Sequence, residues 1–145
     1  MHLRDAIQVA SVTQVSTPSY TVKNLRDVED VAPNFGFDAV QESRFAWRDL
    51  DAERTGFALM AVKPGQRQAI AHSHDEAEEI YVVVSGSGRI KLDDEILDLH
   101  PMDAIRIAPG VVRVLEGGPD GIDYLAFGTR HEGDGTTEPT ENFWP

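Results

Sequence analysis

The chain has 145 residues, about one domain's worth, with 41% apolar and 26% charged residues, an ordinary globular balance. Twenty-five acidic residues against thirteen basic ones leave a formal net charge of −12, which repels nucleic-acid phosphates and anionic lipid surfaces. The absence of cysteine excludes disulfide scaffolds, zinc–thiolate sites and thiol catalysis. The longest unbroken apolar stretch, Phe57 to Val62, falls far short of the roughly 20 residues that a membrane helix needs. With no charged-then-apolar leader in "MHLRDAIQVASVTQVS", the expectation is a soluble cytoplasmic domain.

The first fifty residues show paired alternations at Ile7, Val9, Thr13 and Val15, at Tyr20 and Val22, and at Phe45 and Trp47. These predict strands that extend the sheets or cross to a second subunit. One helical turn is predicted around Leu25–Val31, just before Pro33. From Gly56 onward, short runs rich in Val, Ile, Tyr and Phe alternate with turn signals at about ten-residue spacing. The breaks fall at Pro64-Gly65, "DEAEE", Ser85-Gly86-Ser87-Gly88, Asp93-Asp94, "HPMD", Pro109-Gly110 and "GGPDG". Eight such segments predict an all-β fold, a sandwich or an antiparallel barrel. Three stretches follow: 1–50, N-terminal strands with a short helical turn; 51–130, the barrel; and 131–145, an acidic tail. The tail ends in Phe143-Trp144, two aromatics that predict pinning to a surface.

The chemistry-bearing stretch is "PGQRQAIAHSHDEAEEIYVVVSGSG". His72 and His74 stand two apart on a predicted strand, so both imidazoles leave one face. Glu79 would face the opposite way on an unbroken strand, but a hairpin through Asp75–Glu78 resets the face. It then shares its side with Tyr81 and Val83. Two imidazoles and a carboxylate form a set that suits iron, manganese, zinc, nickel or copper, with open positions for substrate. His100, beside Pro101, reads as a surface residue, His131 as the start of the tail, and His2 as part of the terminus. Gly86, Gly88 and Gly110 read as turn glycines. Phe57, Met60 and Phe127 read as core positions that also suit a pocket wall.

Here the chain resembles the cupin superfamily, in particular its small single-domain members. Gly65, six residues, His72-Ser73-His74, four residues, Glu79, six residues and Gly86 meet every fixed position of the family's first motif. The second motif departs from the pattern: Met102 replaces its glycine, Ala108 its first proline, Arg113 its metal-ligand histidine and Gly117 its asparagine. The resemblance covers about residues 56–128 and implies a jelly-roll, or double-stranded β-helix, barrel with the site inside its mouth. It also implies a homodimer and a small-molecule ligand, with a divalent metal on His72, His74 and Glu79. The function implied is a small-molecule-binding cupin, with a metal-dependent enzyme of oxygenase or isomerase type acting on a small polar or anionic metabolite as one form of it.

Arg113 leaves two readings open. A guanidinium cannot ligate, and at about 6 Å from a divalent ion it would cost roughly 5 kcal/mol at an effective dielectric near 20. In one reading three ligands hold the metal, Arg113 clamps an anionic substrate group, and Tyr81 serves as acid or hydrogen-bond donor. In the other, Arg113 pairs with Glu79 and an internal salt bridge takes the metal's place, leaving a ligand-sensing or structural module.

Overall fold

The computed structural model describes residues 14–17 and 19–145. The expected alternation at Ile7, Val9 and Thr13, and His2 with it, lies outside the described residues. In chain order the strands are β1 (Gln14–Ser16), β2 (Thr21–Lys23), β3 (Gln41–Arg44), β4 (Thr55–Val62) and β5 (Ile70–His74). There follow β6 (Glu79–Leu92), β7 (Glu95–Leu99), β8 (Ala104–Ile107), β9 (Arg113–Thr129) and β10 (Gly135–Pro139). Two short helices, α1 (Ala46–Asp49) and α2 (Thr140–Phe143), and 3-10 turns at Leu25–Asp27 and Ala32–Phe35 complete the chain.

Two layers share the long strands β6 and β9. The N-terminal half of β6 pairs with β8 on one side and with residues 124–128 of β9 on the other, and β9 continues the layer through β4 to β3. The C-terminal half of β6 pairs with β7 and with residues 113–117 of β9, and this layer runs on through β5 to β10. All pairings are antiparallel, and the fold is the expected all-β jelly roll. Inward residues of both layers form one core of Val62, Tyr81, Val83, Ile90, Leu115 and Tyr124 with their neighbours.

The eight predicted segments merge into six strands, because two apparent breaks lie inside strands. Ser85-Gly86-Ser87-Gly88 and "GGPDG" are where β6 and β9 bend together from one layer to the other, with register shifts on either side of Gly86. Gly86 has φ +72°, and a Cβ there would stand 2.1 Å from the Gly121 carbonyl oxygen. Its conformation and the close approach both require glycine. Asp93-Asp94 and Pro109-Gly110 are turns as expected, the first joining Leu92 to Glu95 as a tight hairpin.

Near the N-terminus, Val15 and Val22 fall in the small β1–β2 ribbon, and Leu25–Asp27 is a helical turn capped by the Asn24 side chain. Phe45 and Trp47 are not in a strand. The strand there is Gln41–Arg44, whose polar side chains alternate buried and half-buried, and the chain then turns into α1. The tail adds β10 to the edge of β5 and packs α2 on the barrel. Arg67 lies over the Trp144 ring at 4.1 Å and Lys91 over Phe143 at 3.9 Å, so both terminal aromatics are held by cations. No helix among the described residues is long and apolar enough to cross a membrane.

Candidate metal and ligand site

The histidine pair stands on β5 in one layer, and Glu79 opens β6 in the other. These strands do not pair, so the acidic run Asp75–Glu78 is a crossover between layers rather than the expected hairpin. The meeting of the three side chains survives that change, because each faces the interior from its own layer. Asp134, just before β10, pins the crossover: its carboxylate accepts hydrogen bonds from the Glu76 N–H at 2.7 Å and the Ala77 N–H at 3.1 Å.

The donor atoms of His72, His74 and Glu79 lie within 4.8 Å of one another. His74 Nε2 is 3.1 Å from Glu79 Oε1, and His72 Nε2 is 3.8 Å from it, beyond hydrogen-bond length. The other ring nitrogen of His74 faces Asp134 Oδ2 at 3.5 Å. Sequence reading missed Asp134. It stands 60 residues beyond His74 in a polar Gly- and Thr-rich stretch, and only the pairing of β10 with β5 brings it there.

Arg113 begins β9, register-paired with His72 and on the same face as the core residue Leu115. It is fully buried. Its guanidinium donates to Glu79 Oε1, to the Tyr81 hydroxyl at 3.2 Å and to the Val111 carbonyl at 3.0 Å. Tyr81, also buried, lies 3.5 Å from Glu79 Oε1 through its hydroxyl and tilts against the Tyr124 ring. These contacts converge on Oε1 and leave Oε2 without a hydrogen-bond partner among the described residues.

The electrostatics follow from this packing. Burial, the dominant influence, lowers the His72 pKa, so the ring stays neutral and keeps a lone pair. Burial alone would raise the Glu79 pKa, but the two imidazoles and the Arg113 charge outweigh it, holding the carboxyl well below its usual range. Burial and the Glu79 charge raise the Tyr81 hydroxyl above its ordinary value, so it remains a protonated donor. Arg113 stays charged, since Tyr81 and Glu79 offset the cost of its burial.

The site opens into a cavity of about 450 Å³, a size suited to a small molecule. His72, His74, Glu79, Tyr81, Phe57 and Met60 line it; Phe127 and Arg113 do not. Arg113 therefore meets the cavity only through Glu79 and Tyr81, not as the direct substrate clamp considered above. His131 reaches the mouth, where its Nδ1 lies 3.0 Å from a Glu76 carboxylate oxygen. His100 is exposed, beside Asp103, as expected.

Residues 58–116 match the family described as Cupin domain. Among solved structures, the chain is similar to a cupin protein from Bacteroides fragilis, at 23% identity and TM-score 0.63, over 81% of this chain and 89% of that one. It is also similar to a sugar phosphate isomerase from a cupin superfamily of Silicibacter pomeroyi, at 16% identity and TM-score 0.63, over 81% of this chain and 92% of that one. A variant of Bacillus subtilis oxalate decarboxylase shares 24% identity at TM-score 0.51, over 61% of this chain and only 24% of the larger protein. At these identities the likeness is one of fold. No curated protein sequence matches the chain.

Proposed function

We propose that this member of the cupin superfamily binds a small molecule in its barrel cavity, against a divalent metal ion held by His72, His74 and Glu79. The observation that carries the reading is the donor cluster, three groups within 4.8 Å at the wall of a cavity of ligand size. The donors suit a cation: a neutral His72 imidazole, a second imidazole steered by Asp134, and an ionised carboxylate whose Oε2 has no hydrogen-bond partner among the described residues. A bound divalent ion supplies Lewis acidity to a ligand oxygen. Arg113 neutralises Oε1 and fixes the carboxylate rotamer, while Tyr81 stays protonated and turns its hydroxyl to Glu79 Oε1 at the cavity wall.

A second reading is favoured by the Arg113–Glu79 pair itself, which neutralises the carboxylate charge without metal and leaves a metal-free binding module. Elemental analysis of protein purified without a polyhistidine tag separates the two. Under the first reading, metal is near-stoichiometric after reconstitution with iron, manganese, zinc, nickel or copper, and disappears in His72→Ala. No retained metal in any of the five leaves the second. Arg113→His removes the repelling charge and adds an imidazole, so zinc affinity in that variant is expected to rise by more than about tenfold. Unchanged affinity would show that position 113 does not influence the cluster.

A further inference from the structure

We infer that the cavity takes a ring compound, aromatic or alicyclic, carrying a single polar substituent, rather than a sugar phosphate or another polyanionic metabolite. This rests on the reading of the cavity as a small-molecule site and specifies its ligand class. It also replaces the polar or anionic metabolite expected from the resemblance.

Three observations carry it. The first is the wall. Phe35, Phe37, Phe45 and Trp47, from the segment before β4, line the cavity together with Phe57 and Met60 of β4. Phe35 and Phe37 stack at 5.9 Å, and Phe57 is backed edge-on at 6.2 Å by Phe127 outside the lining, so flat apolar surfaces frame the space. Phe35 is 65% exposed and Phe45 42%, leaving apolar area at the rim for a ligand to cover.

The second is the hydrogen-bonding capacity, most of which the protein itself consumes. Gln41 accepts from the Ala69 N–H and donates to the Ser43 hydroxyl. Gln68 accepts from the Leu115 N–H and donates to the Tyr124 hydroxyl. A sugar ring would bury several hydroxyls against groups already paired, and each unpaired one costs free energy. The Ser43 and Tyr124 hydroxyls accept these amide bonds and each keeps one proton, while the densest cluster of unspent groups lies at His72, His74 and the Glu79 Oε2, where one polar substituent fits.

The third is charge. Arg130 is the one Arg or Lys side chain among the described lining residues, and its guanidinium stacks on Trp47 at 3.7 Å and donates to the Ala52 carbonyl. Glu79 and Asp134 bring two carboxyl groups to the same wall. The chain as a whole carries −12, so a phosphate dianion meets repulsion on approach and, the proposed metal ion apart, no free cationic side chain on arrival.

The test is calorimetric titration and thermal shift of the full chain as purified, with phenol and indole as ring probes and glucose 6-phosphate and ribose 5-phosphate as polyanionic ones. The ring probes are expected to bind and raise the melting temperature, while the sugar phosphates leave both signals unchanged at the same millimolar concentration. Phe57→Ala should weaken ring binding about tenfold, and Phe35→Ala, at an exposed position that the fold does not need, about threefold. Sugar phosphates binding as tightly as the rings would overturn the ligand class while leaving the small-molecule reading intact. Ring binding indifferent to both substitutions would place the rings elsewhere and overturn it too. Silence from all four probes would count against the cavity as a small-molecule site altogether, and against this inference with it.

Discussion

Asp134 shows how much of the site depends on a residue 60 positions beyond the histidine pair. It holds the crossover by two backbone N–H groups and faces His74 Nδ1, so it sets both where the loop lies and how the imidazole is turned. Those N–H groups keep its carboxyl below its ordinary pKa against the cost of burial. Outer partners of this kind are worth about 10–100-fold in metal affinity. Asp134→Asn, which keeps one acceptor oxygen but not the charge, should therefore weaken zinc binding by about tenfold, measured by competition with a chromophoric chelator. Unchanged affinity with an unchanged fold would leave Asp134 as a loop anchor alone.

Among the elements, β6 and β9 are continuous only because glycines permit their bend. In Gly86→Ala the new methyl would meet the Gly121 carbonyl at 2.1 Å on a backbone with φ +72°. The strand pair at the centre of both layers must then shift. We expect a loss of about 3 kcal/mol, read from urea unfolding, combining overpacking with the left-handed conformation. A loss below 0.5 kcal/mol would mean that the bend is not set there. The tail is held by charge: Glu116 on β9 accepts from Arg67 at 2.7 Å and from Arg89 at 2.7 and 2.9 Å, and both arginines lie against Trp144. Although burial acts the other way, these arginines lower the Glu116 pKa from its ordinary 4.5. The stabilisation is thus present above pH 4.5 and lost as the pH falls through the lower folded value. Glu116→Gln should reduce stability at pH 7 and flatten the acid limb of the urea midpoint below pH 4.5; an acid limb identical to the parent's would exclude this pair as its source.

The same elements show which signals are legible in a linear chain. His72, His74 and Glu79 were readable because a strand's two-residue period and a fixed motif spacing are local facts. The long strands were not, since Gly117-Gly118 and Ser85-Gly86 carry the composition of turns. Only their pairing across the barrel makes them bends. Phe45 and Trp47 alternate like strand residues, yet the strand is the polar Gln41–Arg44, whose register with β4 is a non-local choice. Arg113 was legible as a departure from the family pattern, but its burial behind Glu79 and Tyr81 was not, since that depends on the start of β9 meeting the start of β6 from the other layer.

At the scale of the whole molecule, the expected homodimer is open to direct measurement. Tyr20 and Val22, on and beside the β1–β2 ribbon, are large apolar side chains left exposed on a single chain. Sedimentation equilibrium should return twice the 16.0 kDa chain mass at micromolar concentration. A species of 16.0 kDa would remove that expectation and leave the ribbon as an ordinary surface.

The cavity draws its two halves from different parts of the chain. The donor cluster belongs to residues 58–116, the stretch matched to the family, whereas Phe35, Phe37, Phe45 and Trp47 precede it. On the readings proposed above, metal binding and ligand choice are thereby encoded in separate stretches. On those readings, a different barrel of the same fold that is given residues 35–57 of this chain is expected to acquire the proposed preference for rings while keeping its own donor cluster.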